Sequence, residues 1–427
     1  MNIFQDFISE QSFSSHIIDN LGIYDVNIYS RQMEEDIDVL EYILMHIYCG
    51  KDYLKKKGIF ISEKLNALRP IIKTKNQMNK ATFFDLICSA LSEIRDSHLV
   101  FSLPYFQKTH CFCIHNTAYF SDIVLKEDYD KYIVVSSNDS SAQSGDSITD
   151  VDERLFQTSE GLLLYGVLSE KPIRSIKCIC EGKQINLNVS PIPEKQILGK
   201  EIWSYQKHND IDIITLSRLT TFNATEEHEM ESLIAFGKEL RASQKIILDL
   251  RGNRGGNSEY AIRFIKNLNG NAQLNLNYAK LISQGSRLAE LSLYAEHLDN
   301  YNKVRKEILS DPVSNWRFSD QCSISEPKYK NKLVVLTDRN TASSAEIMLK
   351  CIKDNIPQSV IIGENTSGTL NTGDVRYFYL PNSMIFLNIP TALFAGIFEE
   401  GTGFYPDIWS KDDALQSAID YLSQNSC

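Results

Sequence analysis

From about residue 200 onward the sequence alternates between predicted strands and predicted helices, and this alternation restricts the fold more than any other feature. The segment KIILDLRGNRGGNSEYAIRFIKNL (245–268) predicts a strand, a glycine-rich loop and a helix, and KLVVLTDRNTASSAEIMLKCIKDN (332–355) repeats that order. Such repeats are typical of an α/β core with a mostly parallel sheet. Because functional groups in these domains usually lie at the carboxyl ends of the strands, the loops that follow the strands are the candidates for chemistry.

The earlier parts of the chain have different patterns. Apolar residues recur at helical spacing in MEEDIDVLEYILMHIY (33–48) and in ATFFDLICSALSEI (81–94). Short β-rich runs separated by turn residues follow from about residue 100. We therefore expect an N-terminal helical bundle at 1–99, a small β-rich domain at 100–199, and an α/β core at 200–427 with a helical insertion at about 284–328.

The composition argues against some classes of partner. Asp plus Glu number 55 against 44 Lys plus Arg, the net charge is −11, and no basic block compensates. We therefore expect neither nucleic-acid nor membrane binding. The N-terminus, MNIFQDFISEQSFSS, lacks the features of a secretory signal, and no apolar run reaches membrane-spanning length. Because the nine cysteines are scattered, as is typical of reduced thiols, we expect a cytoplasmic protein.

The stretch NTASSAEIMLK (340–350) directly follows a predicted strand, and its serines have two explanations. Ser343 and Glu346 fit the capping box, in which a serine hydroxyl and a glutamate satisfy free N–H groups at the start of a helix. A serine between a strand and a helix is also a suitable nucleophile, with backbone donors nearby for an oxyanion. This stretch alone leaves both explanations open.

The loop LDLRGNRGGN (248–257) carries three glycines, at 252, 255 and 256. Glycines allow the backbone to approach a ligand closely and to direct N–H groups at an anion. The loop is not a P-loop, because no GK[ST] follows. A phosphate cradle, half of an oxyanion hole and a plain strand–helix turn remain as alternatives.

Two segments with histidines offer further chemistry. In DSHLVF, His98 is a candidate general base whose neighbours fix its tautomer, and the alternative is a structural histidine. In HCFCIH, Cys111, Cys113 and His115 share one face if the segment is a strand, which suggests a metal site. Zinc ligands usually have two or more intervening residues, so buried thiols in β-structure are the favoured interpretation. A second C-x-C pair occurs at Cys178 and Cys180.

Together with EEGTGFYPDIW (399–409), these stretches resemble, in the same order, the motifs of the S41 serine peptidases. LDLRGNRGG is similar to the family's D-x-R-x-N-x-G-G loop, and TASSAEI is similar to its T-A-S-A-x-E nucleophile motif. IIGENTSG is similar to the strand and turn that follow, and EEGTGFYPDI is similar to E-x-x-G-x-x-P-D-I near the C-terminus. The resemblance implies Ser343 as the nucleophile of a ClpP/crotonase-like protease core.

One departure from the family pattern indicates the subtype. C-terminal processing peptidases use a Ser–Lys dyad with the lysine in a G-E-x-T-x-G-K turn, whereas Thr369 ends the corresponding turn here. Because a threonine cannot serve as the general base, the resemblance implies the tricorn-like arrangement, whose base is a histidine in a D-[SG]-H motif. Carried over residue by residue, the implied tetrad consists of Ser97, His98, Ser343 and Glu400.

The resemblance also implies a mechanism of peptide-bond hydrolysis, by an endo- or exopeptidase, through an acyl-enzyme. His98 takes the proton of Ser343 and returns it to the leaving amine. Ser97 relays orientation from Glu400, whose charge favours the imidazolium. The reaction needs no metal or organic cofactor.

The implied oxyanion donors are the N–H of Ser344 and one N–H from Gly255 or Gly256. The implied partner is a peptide or protein substrate, and the existence of a homo-oligomer is left open. SGDSITDVD (144–152) resembles a PDZ strand pattern, so the β-rich domain resembles a degenerate PDZ domain. The alternative function is a non-catalytic S41-fold protein that binds a hydrophobic small molecule or peptide. Because nucleophile, base and glycine loop are all present, the sequence predicts the enzyme.

Overall fold

A computed structural model shows two compact units, each assembled from three separate segments of the chain. Unit one takes the described parts of Met1–Ile114, Leu276–Asp320 and Asn371–Ile397. Unit two consists of the described parts of His115–Asn275, Gln321–Leu370 and Phe398–Cys427. The structure describes residues 26–129, 131–149, 155–158, 160–193, 201–292, 300–311, 314–318, 328–395 and 400–424. The segment MNIFQDFISEQSFSS therefore lies outside the described residues.

The helices lie in both units. In chain order they are α1 (Ser30–His46), α2 (Lys51–Lys56), α3 (Ile61–Asn66), α4 (Leu68–Lys73), α5 (Lys80–Ala90), α6 (Ala224–Phe236), α7 (Ser258–Asn269), α8 (Gln284–Ser292), α9 (Tyr301–Ser310), α10 (Ser344–Asn355) and α11 (Ala414–Gln424). None of the helices within the described ranges is both long and apolar enough to cross a membrane.

The strands are mostly short. In chain order they are β1 (Asn27–Tyr29), β2 (Gln77–Asn79), β3 (Asp96–Leu103), β4 (Lys108–Phe112), β5 (Thr117–Asp128), β6 (Lys131–Ser137), β7 (Ser147–Thr149), β8 (Leu155–Gln157), β9 (Leu163–Ser169), β10 (Ser175–Cys180), β11 (Lys183–Pro191), β12 (Trp203–His208), β13 (Ile211–Leu216), β14 (Lys245–Asp249), β15 (Asn277–Ile282), β16 (Asn315–Phe318), β17 (Lys332–Thr337), β18 (Val360–Gly363), β19 (Thr372–Tyr379), β20 (Phe386–Ala395) and β21 (Ile408–Trp409).

The helices of unit one follow the apolar spacing in the sequence. The helices predicted within 33–48 and 81–94 are confirmed as α1 and α5. Leu40 and Leu44, one helical turn apart, are both fully buried in the core of this unit. At the start of α5 the Asn79 side chain accepts a hydrogen bond of 2.8 Å from the N–H of Ala81, so the helix begins with a polar cap.

The main sheet of unit one contains an irregularity that shapes the DSH motif. Its strands run antiparallel in the order β16-β15-β20-β3-β4, and β19 pairs with β20. Asp96 of β3 faces Phe112 of β4, but Val100 faces Cys111. Residues 97–99 therefore bulge out of the ladder. Bulges redirect side chains and are frequent beside active sites, so this one gives His98 a position that a regular strand would not.

The α/β sheet of unit two has the strand order β12-β13-β14-β17-β18-β21. Strands β13, β14, β17, β18 and β21 pair in parallel, and β12 is antiparallel to β13. Alternate residues of β14 pack into different apolar clusters. Ile246 and Leu248 belong to one cluster, and Ile247 belongs to the other. Because apolar clusters cover both faces at these positions, the middle of β14 is a continuous apolar run. The carboxyl ends of β14 and β17 lead into the glycine loop and into Ser343.

Unit two also contains a seven-stranded antiparallel sheet, in the order β11-β10-β7-β6-β5-β9-β8. Strand β11 pairs with both β10 and β5, which closes five of these strands into a small barrel. Leu125, Ile148 and Leu187 are fully buried inside it. Of the PDZ-like segment SGDSITDVD, only its middle forms strand β7, and residues 150–152 lie outside the described residues.

The predicted helical insertion at 284–328 contains α8 and α9, and also strand β16, which the sequence pattern did not indicate. Strand β16 pairs antiparallel with β15, which in turn pairs with β20 of unit one. Residues 293–299, 312–313 and 319–327 of this region lie outside the described residues.

Candidate active site

Ser343 lies in the sharp turn between β17 and α10, with backbone angles φ 54° and ψ −120°. A positive φ is unfavourable for a residue with a side chain, and such strain persists only where the surroundings enforce it. Serine nucleophiles of several hydrolases lie on strained strand-to-helix turns of this kind, which present the hydroxyl at the carboxyl edge of the sheet. The local geometry thus fits the nucleophile explanation of this serine. The predicted capping box of Ser343 and Glu346 is present as well, so the two explanations do not exclude each other.

Glu346 is the group that holds this turn in place. Its carboxylate is fully buried and accepts five hydrogen bonds from groups on the serine turn and on the turn after β18. The donors are the Ser343 N–H (3.0 Å), the Thr366 hydroxyl (2.6 Å), the Gly368 N–H (2.8 Å), the Thr369 N–H (2.9 Å) and the Thr369 hydroxyl (3.0 Å). Burial raises the pKa of Glu346, and these donated bonds act against that rise.

Thr369, which stands where the dyad subtype has a lysine, supports the serine turn instead. Its hydroxyl oxygen accepts a hydrogen bond of 2.8 Å from the Ser343 N–H, and its hydroxyl hydrogen goes to Glu346. The Ser343 N–H therefore already has acceptors and is not available to an oxyanion.

The glycine loop lies directly against the serine turn. A Cβ added to Gly255 would lie 2.7 Å from the Ser344 nitrogen, so only glycine permits this approach. The Gly255 N–H donates to the Asn253 side-chain oxygen at 2.9 Å. By contrast, the N–H groups of Gly256 and Ser344 have no acceptor among the described residues. Two backbone donors next to Ser343 are thus available to a ligand.

Asn253 connects three segments around this loop. Its side-chain N–H donates to the Leu216 carbonyl at 2.9 Å, and its own carbonyl accepts the Ala342 N–H at 2.9 Å. The Ser344 hydroxyl adds a bond of 2.6 Å to the Gly256 carbonyl. The end of β13, the glycine loop and the serine turn are therefore joined by hydrogen bonds.

The segment that contains Glu400 packs on the turn after β18. The Gly401 N–H donates to the Gly368 carbonyl at 2.9 Å, and a Cβ on Gly368 would lie 2.6 Å from the Gly401 carbonyl carbon. The Thr366 N–H donates to the Phe404 carbonyl at 3.0 Å. Glu400 itself is half-buried in this turn. Unit two thus joins the glycine loop, the serine turn and the Glu400 segment.

In unit one, the DSH bulge is held by the buried Asp96 carboxylate. It accepts hydrogen bonds from the His98 N–H (3.0 Å), the Thr372 hydroxyl (2.6 Å) and the Tyr48 hydroxyl (2.8 Å). The Thr372 oxygen also lies 3.4 Å from His98 Nδ1. Because the Thr372 hydroxyl hydrogen is directed to Asp96, its oxygen can accept a hydrogen bond from Nδ1–H. That arrangement leaves the lone pair on Nε2, as a general base requires.

Burial lowers the pKa of His98, and the charge of Asp96 acts in the opposite direction. Because burial is the larger influence, the neutral imidazole is favoured. A neutral imidazole can accept a proton from a nucleophile.

The two C-x-C pairs differ in exposure. Cys111 and Cys113 are exposed, so the favoured interpretation of buried thiols is wrong for them, whereas Cys178 and Cys180 are buried. Strand β4 ends at Phe112, so the rest of HCFCIH continues beyond the strand. The structure shows no group of three or more His, Cys, Asp or Glu side chains suited to a metal within the ranges it describes.

The predicted site residues divide between the two units. Ser97 and His98 belong to unit one, while Gly255, Gly256, Ser343, Ser344 and Glu400 belong to unit two. Sequence reasoning missed the acceptor role of Glu346 beyond its cap, the support from Thr369 and Asn253, and the contact of Thr372 with His98. The motif position of Asn253 between the glycines was an available signal. No local signal indicated Thr372, which lies 274 residues from His98.

A cavity of about 340 Å³ also opens near the carboxyl ends of the parallel strands of unit two. Its lining includes Arg251, Asp338 and Glu364. Arg251 is paired with Asp249 at 2.7 Å. Ser343 does not line this cavity, so we assign the cavity no part in the chemistry of Ser343.

Residues 214–409 match the model of peptidase family S41. This region is similar to the S41 peptidases. The match includes the glycine loop, the serine turn, the turn after β18 and Glu400, but not Ser97 or His98. The chain is a serine-type peptidase, and its substrates are peptides or proteins.

Several solved structures are similar to this chain at low sequence identity. Mature CPAF is 14% identical, with 92% of this chain and 96% of that chain covered and a TM-score of 0.49. The photosystem II D1 C-terminal processing protease is 14% identical, with 89% and 92% covered and a TM-score of 0.39. The tricorn protease is 16% identical, with 92% and 35% covered and a TM-score of 0.36. No curated protein matches the chain.

Proposed function

We propose that the peptidase hydrolyses peptide bonds through an acyl-enzyme on Ser343, with His98 as the general base. The observation that carries this proposal is the strained turn of Ser343 between two N–H groups without an acceptor, inside the region that matches the S41 family. A nucleophile beside unoccupied donors is the arrangement that acyl transfer requires.

In the proposed acylation, Ser343 Oγ attacks the carbonyl carbon of the scissile peptide bond while His98 Nε2 takes the hydroxyl proton. The negative oxygen of the tetrahedral intermediate is stabilised by the N–H groups of Ser344 and Gly256. We choose Gly256 over Gly255 because the Gly255 N–H already donates to Asn253. When the intermediate collapses, His98 gives its proton to the leaving amine, and water then hydrolyses the ester by the reverse proton transfers.

The proposed orientation of His98 has two parts. The tetrad implied by the resemblance uses Ser97 and Glu400. The contacts within unit one support an additional pair, Thr372 and Asp96, on the Nδ1 side of the ring. We propose that this pair acts as positioning residues, which hold the tautomer and stabilise the imidazolium that forms during acylation.

Labelling with a fluorophosphonate probe tests the proposed nucleophile and base. The protein is expected to take one label, on Ser343, and to lose it in Ser343→Ala and in His98→Ala. Ser232→Ala and His110→Ala are the controls, because they remove an exposed serine of α6 and a histidine of the adjacent strand β4. Both controls are expected to retain the label. A folded protein that takes no label, or takes it equally in Ser343→Ala, would contradict the proposal.

Thr372→Val is expected to slow the labelling of Ser343 about tenfold, because valine keeps the shape of threonine but can neither accept from His98 nor donate to Asp96. Thr372→Ser keeps the hydroxyl and is expected to restore most of the rate. The rate constant should be measured as a function of pH, because a purely structural role would leave the midpoint of the profile unchanged. If the pH profiles of Thr372→Val and the unchanged protein had the same midpoint, that result would count against Thr372 as a positioning residue.

The pH dependence of labelling follows from the lowered pKa of His98. Protonated His98 cannot accept the Ser343 proton, so the rate is expected to rise with pH and to reach its plateau as His98 loses its proton. Because burial lowers this pKa from the ordinary 6.5, the midpoint is expected below pH 6.5. The measurement is the labelling rate across the pH range in which circular dichroism shows the fold unchanged. A midpoint above 6.5 would contradict burial as the larger influence.

Finer predictions from the sequence stay proposals. These are the cytoplasmic location, the degenerate PDZ character of the β-rich region, the domain boundaries at 99 and 199, and assembly into a homo-oligomer. The free thiols among the described cysteines are consistent with a reducing compartment.

A further inference from the structure

Cys111 and Cys113 form an exposed pair of thiols that the proposed mechanism does not use. Cys111 is on β4, and Cys113 follows the last residue of that strand. Phe112 between them is buried, so the two cysteines point away from the core on the same side. In the described sheet, β4 is an edge strand that pairs only with β3.

The two thiols interact with each other. A hydrogen bond from Cys111 lowers the pKa of the Cys113 thiol to about 6 and contributes to a raised pKa of Cys111. The Cys113 thiol is therefore more readily ionised than an ordinary cysteine, and the thiolate is the form that attacks disulfides.

Cys111 also touches the bulge that carries His98. Its sulfur lies 3.4 Å from the Ser97 carbonyl oxygen, within reach of an S–H hydrogen bond. The single S–H hydrogen of Cys111 thus has two acceptors within reach, the Cys113 sulfur and the Ser97 carbonyl. Loss of this hydrogen removes one of the contacts between β4 and residues 97–99 of the bulge.

We propose that Cys111 and Cys113 are a redox-active dithiol that low-molecular-weight disulfides oxidise to an intrachain disulfide, and that this oxidation slows the acylation of Ser343. The regulatory half rests on the proposed function, in which His98 activates Ser343. The reacting class is a small disulfide such as oxidised glutathione.

The chemistry balances over two exchange steps. The Cys113 thiolate attacks one sulfur of the small disulfide, so a mixed disulfide forms and one small thiolate leaves. Cys111 loses its proton and attacks the Cys113 sulfur, which forms the Cys111–Cys113 bond and expels the second small thiolate. The protein loses two electrons and the Cys111 proton, together with the Cys113 proton where that thiol was not already ionised, and two small thiols result.

The spacing permits this bond. Two residues along a strand lie about 6.7 Å apart, at the upper end of the Cα separations that disulfides bridge, and their parallel Cβ atoms must come closer before the bond can form. Because Cys113 lies beyond the paired part of β4, its backbone can move closer to Cys111 without breaking a ladder bond. Cys178 and Cys180 have the same spacing, but both are buried and lie within the paired strand β10.

The first measurement is peptide mapping after the full chain is incubated with oxidised glutathione and the remaining thiols are alkylated. The peptide with Cys111 and Cys113 is expected to lack two hydrogen atoms and to carry no alkyl group. Cys178 and Cys180 are expected to stay reduced and to react only after denaturation. The proposal is overturned if Cys111 and Cys113 stay alkylatable, or if the buried pair oxidises as readily.

The second measurement is the fluorophosphonate labelling rate of Ser343 in the same samples. Oxidation is expected to slow labelling about threefold, the size of effect that loss of one hydrogen bond allows. Dithiothreitol is expected to restore the rate, and Cys113→Ser, which cannot form the disulfide, is expected to show no slowing. A disulfide with an unchanged rate overturns the regulatory half. Absence of label in the reduced protein overturns the peptidase mechanism, whereas the mapping result decides the dithiol separately.

Discussion

Replacement of Glu346 by alanine is expected to lower the free energy of unfolding by about 3–5 kcal/mol and to abolish labelling of Ser343. The change removes the acceptor of five hydrogen bonds in the interior of unit two, and among the described residues only the Ser343 N–H keeps another acceptor, the Thr369 hydroxyl. The Ser343 N–H donates one of the five, so the strained backbone of the serine turn loses one of the bonds that hold it. Urea denaturation followed by tryptophan fluorescence measures the first effect, and probe labelling measures the second.

Glu346→Gln separates the charge from the shape. Glutamine fills the same space, but its amide nitrogen faces N–H groups that also donate. We expect a smaller loss of about 1–3 kcal/mol and a labelling rate between those of the alanine variant and the unchanged protein.

The matched control for Glu346 is Asp36 of α1, which is also fully buried. Asp36 accepts the N–H groups of Asn382 at 2.9 Å and Ser383 at 2.8 Å. Asp36→Ala is expected to lower the free energy of unfolding by a comparable amount. The molecules of this variant that remain folded are expected to react with the probe at the normal rate. Equal loss of labelling in both variants would show that the effect of Glu346 comes from general destabilisation.

Gly256→Ala is expected to destabilise the protein by more than about 3 kcal/mol and to prevent labelling of Ser343. A Cβ at this position would lie 2.2 Å from both the carbonyl carbon and the carbonyl oxygen of Leu219. The backbone of Leu219 cannot move easily, because two hydrogen bonds hold it. Its N–H donates to the Gly255 carbonyl at 2.9 Å, and its carbonyl accepts the Asn257 N–H at 2.7 Å. The φ of Gly256, 141°, adds strain for any residue with a side chain. The glycine loop must therefore move, and with it the proposed oxyanion donor.

Gly182→Ala provides the control for backbone strain without a clash. Gly182 has a φ of 72°, yet a Cβ there would meet nothing within 4 Å. We expect the free energy of unfolding to fall by about 1–2 kcal/mol and the labelling rate of Ser343 to stay unchanged. If Gly256→Ala costs no more than this control in denaturant melts, the close approach to Leu219 does not constrain the loop.

The sequence was informative where structure depends on neighbours along the chain. The turn that holds Ser343 lies between an apolar strand and an amphipathic helix, each of which spans only a few residues. The periodicity of their apolar residues is therefore visible locally. The same holds for α1 and α5, whose apolar positions repeat every three or four residues. The glycine loop could also be recognised from the sequence, because only glycine lets the backbone of the loop come this close to the serine turn.

The sequence could not assign the partners of the site residues. Gly255 and Gly256 are equivalent as letters, and the Asn253 side chain distinguishes them by accepting one of the two N–H groups. From the sequence, Thr369 indicated only that the lysine of the dyad is missing. In the structure its hydroxyl supports the serine turn. A hydroxyl can donate or accept, so its role depends on which groups surround it.

Long-range pairing was decided only by the folded chain. Strand β20 pairs with β3, and β19 begins at Thr372, which brings its hydroxyl to Asp96 from 276 residues away. The described part of the segment Asn371–Ile397 thereby joins the unit that contains the N-terminal helices. Local propensity carries no information on which strands become neighbours, because that choice depends on the burial of complementary apolar faces far apart in the chain.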